Sequence, residues 1–445
     1  MKRLPLLCAR LAGLLWISIA TGCGGSGSTE PDPGSATDAA FPGNDASEAD
    51  AHDDGSDAAQ ACSPSSGAVD DRGITTVGET HSGVPLKACH TDQWRFVAAK
   101  GSALRVEVKA ATADLAVRIG WPDDPVMASP LAKATASAGA PASVDLTPER
   151  SGELVLTVAS DDPLPAVYDL SLACEGGCDL EATRYPIVLV HGWCGFDNVG
   201  PYDYFYGVPE YLAQKGFNVE VAHLDPYNST EVRSAQLAVQ LDDFAAKNRA
   251  LRLDVIGHSQ GGIDSRRAIS SLGRGHLVAT LVSVGTPHAG TLLGDIAVGL
   301  VPGPHDSVVD LLINLMGGAT GHESDSQAAF YTLSEYYMRG QFAAENPDDP
   351  GVTYVSWGGH CCILLGECGD TCDPELMAAY EILKASDGDN DGLVPVSSMK
   401  HGTWRGLVEA DHLDEIGQVA GITDPDFDHK EFYLRLARDL AKDGF

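Results

Sequence analysis

The segment LRLDVIGHSQGG, residues 251–262, decides the fold. An apolar strand over residues 251–256 runs directly into a glycine-rich turn, and helical spacing begins at Ile263. Small residues at positions 257 and 261 let the strand and the helix approach each other closely, which lifts the hydroxyl of Ser259 into the open. The helix N-terminus behind the turn favours developing negative charge. The pattern predicts that Ser259 is a nucleophile.

Strands alternate with helices on both sides of this segment. Further apolar runs occupy residues 186–190, 219–224, 280–284 and 352–357, and the first has the composition of a strand buried on both faces. Between the second and third strands Leu237, Leu241 and Phe244 share one helical face. The alternation predicts an α/β domain over residues 179–445, with a mostly parallel central sheet and helices on both faces.

A second turn lies where the chemistry of a serine nucleophile needs hydrogen-bond donors. His191 and Gly192 follow the strand at 186–190 immediately. In a strand-turn-helix arrangement of this kind, one donor to the oxyanion is the backbone N–H of the residue after the nucleophile, and another comes from this upstream loop. Trp193 and Gln260 are therefore the predicted oxyanion donors.

A serine nucleophile also needs a histidine and an acid, in the chain order serine, acid, histidine. The late histidines are His401, His412 and His429, and we favour His412 because acidic residues surround it in DHLDE, residues 411–415. For the acid, the stretch DGDNDG at 387–392 resembles the start of an EF-hand loop, but its twelfth position is Ser398 rather than glutamate. Asp391 is the predicted acid, with Asp389 and Asp387 as alternatives.

Seven ordered segments resemble the secreted true lipases typified by the Pseudomonas and Burkholderia triacylglycerol lipases, of the α/β-hydrolase fold. They are YPIVLVHG at 185–192, GFDN at 195–198, GHS at 257–259, SVGTPH at 283–288, YVSW at 354–357, NDGLV at 390–394 and HLDE at 412–415. The resemblance covers about residues 183–440. It implies a triad of Ser259, Asp391 and His412, oxyanion donors Trp193 and Gln260, and a lid insertion at about 290–321.

The same resemblance implies a structural Ca²⁺ ion beside the histidine loop. Asp373 and Asp414 match the two aspartate ligands of that family, and Gln418 and Ile422 match the two backbone-carbonyl positions. A hard dication with oxygen ligands suits this set, and it would brace the loop that carries the histidine. The alternative is that both aspartates are only solvated.

Eleven cysteines in a chain with an export signal favour disulfides. A cluster of four lies beside Asp373, at positions 361, 362, 368 and 372. Oxidised pairs are expected there, and a zinc site is the alternative. Cys194 lies beside the predicted oxyanion residue, where it is either a free thiol or a link that fixes the loop.

The N-terminus predicts an exported lipoprotein. Residues 1–22 have the basic start and apolar run of a signal peptide, and the motif ATGC at 20–23 resembles a lipobox that would place a lipid on Cys23. The linker over residues 23–61 is rich in Gly, Ser, Ala and Asp and predicts a disordered acidic tether. We expect an outer-membrane or cell-surface lipoprotein, with plain secretion as the alternative.

Residues 62–178 show short strands with apolar residues at every second position, which predicts a small all-β sandwich in front of the α/β domain. The formal net charge is −34, from 63 acidic and 29 basic residues, and this charge disfavours nucleic acid as a partner. The expected partners are a lipid or ester substrate at an interface, a membrane through Cys23 and a possible folding chaperone. Alternatives to a triacylglycerol lipase are an esterase or phospholipase, and a surface-tethered binding protein without activity.

Overall fold

The computed structural model describes residues 68–193, 204–309, 325–363 and 368–445. The predicted signal peptide (1–22), the lipidated Cys23 and the linker (23–61) lie outside the described residues, as do Cys194 and the part of the predicted lid that follows residue 309. Across these four ranges, no helix combines the length and the apolar character needed to cross a bilayer.

Nine strands near the N-terminus form two facing sheets. One sheet has the strand order β1-β3-β8-β5-β6 and the other β2-β9-β4-β7. Their bounds are β1 Val69–Ile74, β2 Thr80–Leu86, β3 Thr91–Ala98, β4 Ala103–Ala110, β5 Leu115–Gly120, β6 Ala132–Ala136, β7 Ala142–Leu146, β8 Gly152–Ala159 and β9 Ala166–Gly176.

Alternate side chains of these strands fill the space between the two sheets. Strands β3 and β4 bury every second residue, as a strand with one face towards a core must. Within this core the Trp94 indole N–H donates a 2.9 Å hydrogen bond to the Tyr168 hydroxyl. That hydroxyl in turn donates to Asp92 over 2.8 Å. The predicted all-β architecture in front of the α/β domain is confirmed.

The second part of the chain contains a six-stranded parallel sheet with the order β11-β10-β12-β13-β14-β15. Its strands are β10 Ile187–Val190, β11 Val219–Ala222, β12 Leu253–His258, β13 Val278–Val284, β14 Thr353–His360 and β15 Thr403–Glu409. The sequence indicated the first five of these strands. The edge strand β15 was missed, because its burial alternates and its sequence TWRGLVE carries polar residues.

Helices cover both faces of this sheet. They are α1 Val208–Lys215, α2 Thr230–Asn248, α3 Gln260–Ile269, α4 Leu292–Ala297, α5 Ser326–Leu333, α6 Glu335–Tyr337, α7 Ala343–Glu345, α8 Met377–Ser386, α9 Val396–Met399 and α10 His429–Asp443, and a π-helical turn, Met338–Phe342, joins α6 to α7. Helices α1 and α10 pack on the face that carries Ile187 and Leu189. Helices α2 and α3 pack on the face that carries Val188 and Val190. The predicted α/β-hydrolase architecture is confirmed.

Polar contacts join the β-sandwich to the amino ends of the parallel strands. Arg184, just before β10, pairs with Glu153 of β8 at 2.7 Å, and Arg249, just before β12, pairs with Asp123 at 2.8 Å. Because ligand sites of parallel sheets lie at the carboxyl ends of the strands, the sandwich covers the edge opposite to the expected site.

Helix α4 belongs to the core although it stands at the start of the predicted lid (290–321). Leu293 and Ile296 are buried in it, and an added Cβ on Gly290 would lie 2.5 Å from backbone atoms of Glu335. This part of the predicted lid is therefore core, and Val308 is buried in the same cluster.

The cysteine cluster is oxidised, as expected. Cys361 bonds to Cys372 and Cys362 bonds to Cys368, while Cys174 and Cys178 close the end of the sandwich domain.

Candidate active site

Ser259 stands on a strained turn between β12 and α3. Its backbone has φ 55° and ψ −129°, a conformation that side-chain-bearing residues rarely adopt and that is held by the structure on both sides. A Cβ on Gly257 would lie 2.7 Å from the backbone nitrogen of Gly262, and one on Gly261 would collide with the carbonyl oxygen of Val190. Only glycine fits at 257 and 261, which explains the motif in steric terms.

The structure brings Ser259, His412 and Asp391 into one hydrogen-bonded chain. The Ser259 hydroxyl donates to Nε2 of His412 over 2.9 Å, and Nδ1 of His412 donates to Oδ2 of Asp391 over 2.7 Å. The other oxygen of Asp391 accepts from the backbone N–H groups of Leu393 and Val394 at 2.9 and 2.7 Å. These bonds hold the carboxylate in place, and by accepting the Nδ1–H it fixes the His412 tautomer that leaves Nε2 free to accept a proton.

The alternative residues lie elsewhere. Asp389 is exposed and pairs with Lys384 at 2.7 Å. His401 pairs with Asp348 at 3.0 Å, and His429 contacts the backbone carbonyl of Tyr206 at 2.8 Å. Asp391 and His412 are thus the acid and the histidine that meet Ser259.

The two predicted oxyanion donors flank the serine. Gln260 is the first residue of α3 and is fully buried, and its side-chain amide donates to the carbonyl of Asn228 over 3.0 Å. A Cβ on Gly192 would lie 2.6 Å from Cβ of Ser259, so the loop that leads to Trp193 passes directly against the nucleophile. This placement suits backbone N–H groups that point at the oxygen of a reacting ester.

The loop that leads to Trp193 is held by a buried arginine, Arg233, which the sequence patterns did not indicate. Arg233 of α2 is completely buried and pairs with Asp264 of α3 at 2.7 Å. Its remaining N–H groups donate to the carbonyl of His191 over 2.6 Å and to that of Asp225 over 2.5 Å. Burial raises the pKa of Asp264 to about 6, while the guanidinium acts in the opposite direction.

A second histidine–carboxylate pair lies directly behind the first. Nε2 of His258 and Oε2 of Glu415 are 2.8 Å apart, and Nδ1 of His258 is 2.7 Å from the Tyr204 hydroxyl. Burial holds the pKa of His258 well below its ordinary value, with His412 adding to the effect, and burial raises the pKa of Glu415 well above its ordinary value. The His258 and His412 rings are 4.7 Å apart, so this pair limits the space in which His412 can turn.

The residues predicted to bind calcium lie in an acidic cluster beside His412. The carboxylates of Asp370, Asp411 and Asp414 lie within 4.8 Å of one another, and the Asp373 backbone N–H donates to Asp411 over 2.8 Å. One oxygen of Asp370 is buried without a hydrogen-bond partner. Burial raises the pKa of Asp414 to about 7 and that of Asp370 to about 6, with neighbouring aspartates adding to both shifts. The residues that the sequence did not indicate are Asp370 and Asp411.

The two predicted carbonyl positions lie in the turn that follows the histidine loop. The Gln418 backbone N–H donates to the Leu413 carbonyl over 3.0 Å, which holds this turn against the loop. Ile422 is further along the turn and has an exposed side chain. A hard cation beside the buried carboxylates would offset their mutual repulsion, so the donor chemistry of the cluster fits calcium.

Comparison with known proteins places the chain among lipases. Residues 186–331 match the family model described as palmitoyl protein thioesterase. Over 270 residues the chain is 34% identical to a triacylglycerol lipase of Vibrio cholerae, an alignment that covers 55% of this chain and 84% of that relative. The chain belongs to the triacylglycerol lipase family.

The chain is also similar to a further curated lipase and to a solved lipase structure. A Pseudomonas fragi triacylglycerol lipase is 30% identical over 291 residues, which cover 59% of this chain and 98% of the relative. The solved structure of mature Bacillus licheniformis lipase BlEst2 is 20% identical and superposes with a TM-score of 0.46, covering 60% of this chain and 96% of that chain. The expected relationship to Pseudomonas and Burkholderia lipases is confirmed, and this lipase is a carboxylic ester hydrolase.

Proposed function

We propose that this lipase hydrolyses acyl glycerol esters through an acyl-enzyme on Ser259. The observation that carries the proposal is the continuous hydrogen-bonded chain from the Ser259 hydroxyl through His412 to Asp391. A serine hydroxyl is a weak nucleophile alone, and a histidine in this position removes its proton as the bond to the ester carbon forms.

In the acylation step, His412 takes the Ser259 proton at Nε2 while the serine oxygen attacks the carbonyl carbon. The carbonyl oxygen becomes an oxyanion, which the backbone N–H groups of Trp193 and Gln260 stabilise. Asp391 remains ionised and stabilises the imidazolium. The tetrahedral intermediate then collapses, and His412 gives its proton to the departing glycerol oxygen.

Deacylation repeats these steps with water. His412 removes a proton from the water molecule, the resulting hydroxide attacks the acyl carbon, and the second oxyanion occupies the same pair of N–H groups. Collapse of that intermediate returns the proton to the Ser259 oxygen and releases the fatty acid. The proton transfers of both steps therefore need only Ser259, His412, the ester and water.

The test is hydrolysis by the purified chain of emulsified triolein, dissolved tributyrin and phosphatidylcholine. We expect glycerides to be cleaved faster than the phospholipid, and we expect Ser259→Ala to lose all three activities. Ser143→Ala, which removes an exposed hydroxyl of β7, is the matched control and should keep them. Full activity of Ser259→Ala would contradict the proposal, and faster phosphatidylcholine hydrolysis would favour a phospholipase.

Thioester hydrolysis is a second candidate, because the palmitoyl protein thioesterase model covers residues 186–331, which include the serine turn and the oxyanion loop. A thiolate leaves without prior protonation, so the same site needs less help from His412 in acylation. Comparing palmitoyl-coenzyme A with p-nitrophenyl palmitate distinguishes the two. A higher kcat/KM on the thioester would make the thioesterase the principal activity.

A calcium ion in the acidic cluster is part of the proposal. Asp373 and Asp414, the backbone carbonyls of Gln418 and Ile422, and the neighbouring Asp370 are the residues that would hold it. When bound, the ion would supply positive charge that offsets the repulsion among buried carboxylates. The unpartnered oxygen of Asp370 supports this assignment. The role is structural, since the cluster braces the loop of His412 and touches no reacting atom.

The setting we propose is the cell surface. The signal peptide (1–22), lipidation of Cys23 and the acidic linker (23–61) would tether the enzyme to an outer membrane, with secretion as the alternative. The insertion at about 290–321, apart from its core helix α4, would act as a lid that opens at a lipid interface. Folding in the export pathway would involve a chaperone. Labelling with radioactive palmitate, abolished by Cys23→Ser, tests the tether.

A further inference from the structure

The side chain of Trp193 carries a hydrogen-bond donor that the catalytic scheme leaves unused. Its indole Nε1 is buried and has no hydrogen-bond partner in the described part of the chain. Buried polar groups normally find a partner, because an unmade hydrogen bond leaves the cost of desolvation uncompensated. The indole of Trp94, by contrast, donates to the Tyr168 hydroxyl.

Aromatic and apolar side chains hold the indole ring of Trp193 in place. Its centroid is 5.2 Å from that of Phe330 and 6.0 Å from that of Tyr227. The ring also packs against the cluster formed by Leu376 and Leu413, of which the latter follows His412 directly. Trp193 therefore joins two apolar clusters, and the residue before it, Gly192, lies against Ser259.

These contacts fix the indole N–H in the surroundings of the triad, since Gly192 lies against Ser259 and Leu413 follows His412. The donor is fixed by apolar packing on both sides, so it cannot turn to solvent without the loss of those contacts. An acceptor on the substrate would complete its hydrogen bond, and the free enzyme has already met the cost of desolvating the donor.

We infer that the Trp193 indole N–H donates a hydrogen bond to a second ester carbonyl of the substrate, and so selects esters of polyols over esters of simple alcohols. The inference rests on the proposed acyl glycerol hydrolysis. Esters of adjacent hydroxyl groups carry additional carbonyl oxygens a few bonds from the scissile one, whereas an ester of a monohydric alcohol carries none. A site built to hydrogen-bond a group discriminates against analogues that lack it.

The experiment compares kcat/KM for dissolved tributyrin with that for butyl butyrate, which share the same acyl group. Trp193→Phe keeps an aromatic ring in the wall and removes the N–H, and its backbone N–H is unchanged. Trp404→Phe is the matched control, because it makes the same replacement on β15, at the edge of the sheet. We expect the tributyrin to butyl butyrate ratio to fall about tenfold in Trp193→Phe, the equivalent of about 1.4 kcal/mol at 25 °C, and to stay unchanged in Trp404→Phe.

Two other results would contradict either the inference or the proposed function. The inference is overturned if the tributyrin to butyl butyrate ratio of Trp193→Phe stays within twofold of the wild-type ratio. This holds whether both rates fall together or neither falls, because the N–H then does not distinguish between the two substrates. Wild-type protein that hydrolyses neither ester contradicts the proposed function itself. If Trp193→Phe is too unstable to assay, Trp193→His, which retains a ring N–H, is used with the same substrates and must keep a higher ratio than Trp193→Leu.

Discussion

Arg233 donates a 2.6 Å hydrogen bond from a terminal guanidinium nitrogen to the backbone carbonyl of His191, two residues before the predicted oxyanion donor Trp193. The same side chain is fixed at its other end by Asp264. The position of the oxyanion loop thus depends on a charge pair between α2 and α3, and only the planar guanidinium has the geometry to serve both partners.

Arg233→Lys is therefore expected to lower kcat about a hundredfold with little change in KM, because a displacement of the loop mainly weakens contacts made in the transition state. Arg252→Lys is the matched control, since Arg252 also donates to a backbone carbonyl, that of Gly351 over 2.6 Å, but from the amino end of β12. Steady-state kinetics on p-nitrophenyl butyrate measure both. Equal losses in the two variants would show that the effect is general destabilisation.

The acid of the triad is tested by Asp391→Asn. Loss of the carboxylate lets His412 adopt the wrong tautomer, and kcat is expected to fall about ten-thousandfold. Asp389→Asn removes an exposed carboxylate two residues away and should leave kcat within about twofold of wild type, because exposed ion pairs contribute little. The reverse order of effects would assign the acid to Asp389.

We expect the folded protein to be less stable at low pH, because His191 is buried. Burial, together with the nearby Arg233, lowers the pKa of His191 to about 3, and its Nε2 accepts the Leu224 backbone N–H. Between pH 6.5 and 3 the unfolded chain binds a proton that the folded chain does not, so stability falls as pH decreases, by about 1.4 kcal/mol per pH unit for this one group.

Urea unfolding at pH 7.5 and pH 5.5 measures that dependence. His191→Gln keeps an acceptor for the Leu224 N–H and cannot be protonated, so its stability should fall less between the two pH values than that of wild type. His305→Gln is the control, because His305 is half exposed. A dependence on pH in His191→Gln as steep as in wild type would contradict this account.

The calcium proposal predicts that chelation lowers the melting temperature. Removal of the ion leaves buried carboxylates facing one another, and the loop of His412 loses its support. Asp414→Ala should remove the response to chelator, while Asp389→Asn should retain it. Thermal unfolding with and without EDTA measures both, and an identical melting temperature of the wild type in the two conditions would refute the site.

The serine turn could be predicted from the sequence because its determinants are local. Gly257, Ser259 and Gly261 lie within five residues, and their steric requirement appears directly as small side chains at fixed spacing. The chain order of acid and histidine followed from the same architecture. Local sequence patterns were therefore sufficient to predict the fold and the triad of Ser259, Asp391 and His412.

The support of the site could not be predicted in this way. His258 and Glu415 are 157 residues apart, and Arg233 and Asp264 are 31 residues apart, on different helices. Nothing in the neighbourhood of a lone arginine or glutamate signals a buried partner at such a distance. The placement of these pairs depends on how the helices pack on the sheet, which spacing along the chain does not encode.

The most direct test of the central claim is a fluorophosphonate reaction followed by mass spectrometry of the intact and digested protein. The account predicts one adduct per chain, on the peptide that contains Ser259, and strongly reduced labelling in Asp391→Asn. Absence of an adduct, or an adduct on a different serine with Ser259 unmodified, would contradict the assignment of Ser259 as the nucleophile.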